Sequence, residues 1–178
     1  IYPGLGGSQR PARISGIPLA RWAVLGGNFM TAQVAYDIGL LTHLVDLSEV
    51  ESTTNVCVGQ GKPANKYAGK PSNEASEVVK FATDFYSDAN LGILLSGGCP
   101  EGYDPEDKSI SRQLKNLKYT APIALSMASD LIDVTATTTL AEGLDIELSK
   151  LTDIFSTRDA LEGLSALIEG RRATYTNS

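Results

Sequence analysis

The side chains able to do chemistry are few and scattered. One histidine, His43, and two cysteines, Cys57 and Cys99, make up the whole set of N and S ligands. A structural zinc site takes four such ligands at short spacings, and neither cysteine stands at one, so no metal is expected. His43 lies in an apolar run with no Ser or Cys placed beside it by spacing. It reads as a surface or satisfied histidine and not as a catalytic base. The two thiols read as free, in a reduced compartment. Near the start, Pro3-Gly4-Leu5-Gly6-Gly7-Ser8-Gln9-Arg10 holds a Gly-rich turn, where glycine accepts positive φ and close approach to the backbone. Gly7 and Ser8 then open a helix whose free N–H groups favour an anion, although support of the turn is the plainer role. Near the end, Arg171 and Arg172 are adjacent. A guanidinium meets phosphate through two parallel N–H bonds, and a solvated basic helix end favoured by the dipole is the competing role. Trp22 falls on an amphipathic stretch, where an aromatic is more often core than ligand wall.

These residues have to be positioned by helices. One is expected from about Ser8 to Ile14 with Ser8 as its N-cap, and Ser15-Gly16 ends it. The next opens at Pro18, runs through Trp22 and Val24, and stops at Gly26-Gly27. Thr31 caps a third, Ala32 to Ile38, closed by Gly39. Leu40 to Leu47 reads as the one strand. Ser48 to Ser72 is polar and reads as a long connection. From Asn73 the helical period returns in Val78, Val79, Phe81, Ala82, Phe85 and Tyr86. After the loop 96–102, a helix near Pro105 carries Ile110, Leu114 and Leu117, and another opens at Ala121-Pro122. Thr135 to Thr139 is β-branched and helix-poor. Leu140, Leu144, Leu148, Leu151 and Phe155 form a single helix stripe. A last helix carries Leu161, Leu164 and Leu167, with Glu162 and Glu169 expected to pair with Arg158 or Arg172. The chain as it stands reads as mainly α, with apolar faces that need another layer to cover.

With 178 residues, 42% of them hydrophobic, the chain has enough to form a core of its own, which excludes disorder throughout. Its formal net charge of -6 speaks against nucleic acid as a partner, because phosphate backbones select clustered Lys and Arg. No apolar run approaches the roughly 20 residues of a membrane span. A soluble, cytoplasmic protein handling small molecules is expected. The chain opens at Ile1 without Met, on residues that look like the inside of a domain, so a piece of a longer chain is expected.

Three segments together resemble the crotonase (enoyl-CoA hydratase/isomerase) superfamily. The first is Pro3-Gly4-Leu5-Gly6-Gly7-Ser8-Gln9-Arg10, similar to the family's Pro-Gly-x-Gly-Gly-Thr/Ser-Gln-Arg. The second runs from Gly26-Gly27 through Thr31-Ala32 and Gly39-Leu40-Leu41 to Leu44-Val45. The third is Phe155 to Glu169 followed by Arg171-Arg172, which resembles the closing helix. The closing segment departs from the family at Gly170, where hydratases often carry Lys, and at Tyr175, where they carry Phe. The resemblance divides the chain into residues 1–47, the end of a crotonase-like core; 48–119, longer than the family usually has; and 120–178, the C-terminal helical region. That long middle is reminiscent of the crotonase-like modules fused to hydroxyacyl-CoA dehydrogenases.

The resemblance implies the C-terminal helical part of an α/β fold built as a spiral of ββα turns. It implies a trimer or hexamer, an acyl-CoA thioester as substrate and no further cofactor. The oxyanion hole and the two catalytic acids are expected upstream of Ile1, so the chain by itself is expected to be inactive. Gly4 is carried over as a supporting backbone N–H at the catalytic water. Arg171 and Arg172 are carried over as contacts to CoA phosphate. Leu5, Trp22, Leu151 and Phe155 are candidates for the acyl pocket. Hydration or isomerisation of an enoyl-CoA is the first reading. Another crotonase-fold reaction (hydrolase, dehalogenase or decarboxylase) and a non-catalytic helical assembly module are the alternatives.

Overall fold

A computed structural model describes residues 1–60 and 69–178. It is mainly α, as the sequence indicates, and it has no strand among the described residues. The helices are α1 (Arg10–Ser15), α2 (Ile17–Val24), α3 (Ala32–Asp37), α4 (Val50–Gln60), α5 (Glu77–Phe85), α6 (Asp88–Leu95), α7 (Lys108–Lys118), α8 (Pro122–Asp133), α9 (Leu140–Ser149), α10 (Leu151–Phe155) and α11 (Arg158–Glu169). Single 3-10 turns stand before α4 and after α8.

Start signals in the sequence explain where six of the eleven helices among the described residues begin. The side chains of Thr31, Asp107, Thr139 and Thr157 each accept a backbone N–H from the first turn of their helix. At α9 the bond is reciprocated, since Glu142 reaches back to the Thr139 N–H at 2.8 Å. Pro18 and Pro122 sit in first turns, where their missing N–H costs nothing. Gly170 ends α11 in the left-handed conformation.

The core gathers Leu19, Ala20 and Trp22 of α2, Val79, Ala82 and Phe85 of α5, and Ala124, Leu125, Ala128, Leu131 and Ile132 of α8. Phe81, Phe85 and Tyr103 pack edge and face, with Phe85 and Tyr103 ring centroids 4.8 Å apart. Arg21 ties three helices at the edge of this core. Its guanidinium meets Asp88 at 2.6 Å and Asp133 at 2.7 Å.

Several expectations are corrected. Leu40 to Leu47 is not a strand: residues 41 to 47 are exposed, and among the described residues no strand stands beside them to offer a ladder. The polar stretch from Ser48 is not a bare loop, because α4 forms there with no buried residue. A helix without an apolar face leaves no period to read. The rest of that expected connection falls partly on residues 61–68, outside the described residues. The first helix starts at Arg10, since Pro3 to Gln9 is spent on turns, and Ser8 caps nothing. The expected leucine stripe is two helices, and it is not the buried face. Leu148 and Phe155 are exposed, while Gly143, Glu147 and Ile154 face inward.

Candidate functional site

The Gly-rich turn is closed by a residue that lies 139 or more positions away. Glu147 of α9 is buried, and its carboxylate receives the Gly6 N–H at 2.6 Å on Oε1. Its Oε2 receives the Ser8 N–H at 3.2 Å and the Ser8 hydroxyl. Tyr2 donates to the Glu147 carbonyl at 2.6 Å. A buried carboxylate without a cationic partner is tolerated here because three donors converge on it. Gly6 and Gly7 are required by this arrangement. Gly6 has φ +86°, and a Cβ on Gly7 would lie 2.7 Å from the Pro3 carbonyl oxygen.

The next layer fixes this clamp. Gln9, fully buried, donates through Nε2 to the Leu131 carbonyl at 2.6 Å. Arg13 donates to the Thr138 carbonyl at 2.6 Å and the Thr139 carbonyl at 2.9 Å. Gly143 lets α9 come this close, because a Cβ there would sit 2.0 Å from Gln9 Oε1.

Gly4 is different from its neighbours. A Cβ on it would meet only Leu151 Cδ2, at an ordinary 3.8 Å. Its N–H donates to no group among the described residues. Beside it runs a groove of about 270 Å³ lined by Leu5, Arg10, Leu144, Glu147, Leu148 and Leu151. Leu5 holds φ +58° and its side chain is 96% exposed, an arrangement uncommon for a leucine. Arg10 donates to the Leu5 carbonyl at 2.5 Å and steadies that backbone. Of the acyl-pocket candidates, Leu5 and Leu151 meet at this groove. Trp22 lies in the main core, and Phe155 is half exposed outside the groove lining.

The two arginines have different surroundings. Arg171 is tied to Glu162 through Nη1 at 2.5 Å and Nη2 at 2.8 Å, and to Glu169 through Nε at 2.5 Å. That guanidinium, with the Thr174 N–H, holds the Glu162 carboxyl down at about 2. The expected pairing with Arg158 or Arg172 does not form, because the left-handed turn at Gly170 folds Arg171 back over α11. The Arg172 guanidinium lies 4.2 Å from the Tyr119 ring centroid and pairs with no carboxylate among the described residues.

His43 has a thiol beside it, contrary to the sequence reading. Cys57 Sγ is 3.8 Å from both ring nitrogens, brought there when α4 turns the chain back. Equal distance to both nitrogens is not the geometry of a directed S–H···N bond, and both groups are near solvent. Sequence reasoning also missed Glu147. Its signal was present: an acid four residues after Gly143, on the inner face of an amphipathic run. A larger cleft of about 610 Å³, lined by Leu95, Ile123, Met127, Val134, Ile146 and Lys150 among others, had no signal in the sequence.

No family model matches the chain, and no solved structure does. Among curated proteins the chain is similar to one from Arabidopsis thaliana named probable enoyl-CoA hydratase 2, mitochondrial, at 24% identity over 178 residues. The alignment takes in 100% of this chain and 40% of that protein, so the chain spans about two fifths of the relative's length. A mainly α chain with that likeness is consistent with the C-terminal helical part of a crotonase-type fold. Among the described residues no helix is long and apolar enough to cross a membrane.

Proposed function

We propose that this chain is the C-terminal helical part of a crotonase-family enzyme that acts on an acyl-CoA thioester by hydrating or isomerising an enoyl-CoA. One observation carries the reading. The Gly-rich turn, one of the segments on which the resemblance rests, is joined by the buried Glu147 clamp to α9, which leads towards the closing helix. A clamp that immobilises Gly6 and Ser8 also immobilises Gly4. Its unused N–H suits a water or thioester at the mouth of the Leu5–Leu151 groove. Of the four acyl-pocket candidates, Leu5 and Leu151 carry the proposed pocket, and Trp22 in the main core and Phe155 outside the groove do not. Arg172, whose cation is not spent on a carboxylate, is the better of the two arginines for CoA phosphate. The oxyanion hole and the acids belong to a part of the enzyme outside this chain, and the cytoplasmic location and a trimeric assembly are part of the proposal.

The exposed apolar face of α11, with Leu161, Leu164, Leu167 and Ile168, favours a second reading as a helical assembly module. Native mass spectrometry with and without acetoacetyl-CoA separates the two. A CoA adduct lost in Arg172→Ala supports the enzyme reading, and assembly without any adduct supports the module. The chain alone is expected to leave crotonyl-CoA unchanged, because transition-state stabilisation comes from groups it does not hold. Clear turnover would overturn that assignment of roles.

A further inference from the structure

We propose that the open cleft along the outer face of α8 binds a small apolar amine, at a site separate from the Gly-rich turn. The cleft holds about 610 Å³, within the range of small-molecule sites, and shares no lining residue with the Leu5–Leu151 groove. Its walls are apolar. Ile123 and Met127 of α8, Leu95 of α6 and Ile146 of α9 are half-buried and packed from behind against the core, over a floor that includes the buried Leu131. Methionine adapts to irregular apolar shapes, which suits the wall of a ligand site.

The two sides of the cleft are held apart. α8 is fixed from behind by Gln9, whose Nε2 donates to the Leu131 carbonyl at 2.6 Å. On the other side the closing segment is pinned by the buried Asp159 at the start of α11. The Asp159 carboxylate receives the Thr176 N–H at 2.7 Å and the Asn177 N–H at 2.9 Å. Its own backbone N–H donates to the Ser178 carbonyl at 3.0 Å. Asn177 thereby stands at the cleft with φ +60°, a left-handed conformation that asparagine tolerates. Apolar surface kept open to solvent in this way is the mark of a binding groove.

The rim specifies the ligand. Ser126, Asp130 and Asn177 line the cleft, and among the described residues none of their side chains makes a hydrogen bond or an ion pair. Lys150, also at the rim, has the Asp153 carboxylate 3.6 Å away. The charge left unspent is therefore the negative one of Asp130. Ser126 stands four residues before Asp130 on the same face of α8, so an ammonium beside the carboxylate can also meet the hydroxyl. A ligand that satisfies this rim brings a cation with N–H donors, and an apolar body for Ile123, Met127 and Ile146. A fatty carboxylate would set like charges together, so the cleft is no second acyl site, and it stands whether or not this chain handles acyl-CoA. Asp130 is exposed, so its charge selects by a few-fold, and most of the affinity comes from the apolar walls.

The two methionines give a site-specific reading, because Met127 lines the cleft and Met30 does not. The intact chain, with carbon-13 in its methionine methyls, is titrated by NMR at about pH 7 with octylammonium, octan-1-ol and octanoate. These share one apolar body and differ in charge. Octylammonium should shift the Met127 methyl saturably and leave Met30 in place. Octanol should bind about threefold more weakly, and octanoate about tenfold more weakly. Asp130→Asn should bring octylammonium down to the affinity of octanol and leave octanol unchanged. Ile123→Trp should fill the cleft and remove the binding of both, with circular dichroism checking the helices. If that variant unfolds, Ser126→Trp fills the same space from an exposed position. A Met127 methyl that does not shift, that shifts together with Met30, or that responds best to octanoate overturns the proposal. So does an Asp130→Asn variant that keeps the full preference for the amine. A Met127 shift that follows protein concentration and ignores the amine also overturns it, and would assign the cleft to a second copy of the chain.

Discussion

Three single positions separate competing effects. Glu147→Ala leaves the Gly6 N–H, the Ser8 N–H and the Ser8 hydroxyl without an acceptor. Orphaned buried donors cost about 1–3 kcal/mol each before water enters, so a net loss of about 2–4 kcal/mol is expected. Glu147→Gln keeps one acceptor oxygen and should lose roughly half as much. A fall in urea midpoint at constant slope checks both. At Gly143 two terms oppose each other. Alanine gains about 1 kcal/mol of helix propensity, and its Cβ meets Gln9 Oε1. Gln9 cannot swing away without breaking its bond to the Leu131 carbonyl. Overpacking of this kind costs about 1–3 kcal/mol, so Gly143→Ala should destabilise despite the better helix former. At Arg21 the two carboxylates are unequal. Its own side chain is 3% exposed, Asp88 is 90% exposed and Asp133 is 42% exposed. Removing Asp133 takes the less hydrated partner from a buried cation, and removing Asp88 gives up a largely screened one. Asp133→Ala should lower the urea midpoint more than Asp88→Ala, and the reverse order would sink this account.

Individual helices test whether local signals or tertiary packing hold the elements. Thr139→Ala removes the side-chain half of the capping box at α9 and leaves the Glu142 bond to the backbone N–H of residue 139, which should cost about 1 kcal/mol. Because α9 also presents Glu147, that variant should loosen the Gly-rich turn as well. Hydrogen exchange at the Gly6 and Ser8 amides would register it. The elements that were legible in the sequence carry signals that work locally, a cap or proline at one end or, in α5, the spacing of the apolar residues. Thr31, Pro18 and Pro122 each act within one turn, so no fold is needed to read them. What stayed hidden depends on distant partners. Leu40 to Leu47 has the composition of a strand, but a strand exists only beside another. The stripe from Leu140 to Phe155 looked like the buried face, yet the helix is turned by a buried glutamate that needs donors from the Gly-rich turn. At the site, the turn itself was legible because two of its glycines are forced by close approach. The Arg171–Glu162 pairing was not, since it forms only after Gly170 reverses the chain. The meeting of Leu5 and Leu151 likewise depends on how α9 and α10 fold back over the turn.

At the scale of the whole molecule, ionisable groups bound the pH range in which the fold is most stable. Glu162 titrates at about 2 when folded against an ordinary 4.5, and Asp37, Asp107 and Glu142 are also lowered, chiefly by hydrogen bonds. A carboxyl with a depressed folded pKa stabilises above its unfolded pKa. That contribution is complete above about pH 5 and is lost as pH falls from there towards 2. The alkaline side has the opposite sign and a different cause. Burial pushes the Tyr86 phenol far above its ordinary 10, and burial together with Asp84 pushes Tyr103 up to about 12. Tyrosine is neutral when protonated, so the folded chain keeps these protons after the unfolded chain has begun to release its own. Stability is therefore full below pH 10 and falls as pH rises through 10 towards 12. Urea midpoints taken from pH 2 to 11.5 should trace a plateau with these two shoulders. Tyr86→Phe supplies the control. It gives up the 2.8 Å bond to Gln113 Oε1 and so lowers the plateau, but it also removes a proton that resists release. Its alkaline shoulder should be shallower than that of the unaltered chain while its acid shoulder is unchanged. An alkaline shoulder of undiminished slope in Tyr86→Phe would mean that another group sets the limit. The burial of Tyr86 beneath α7 would then not be what bounds the fold at high pH.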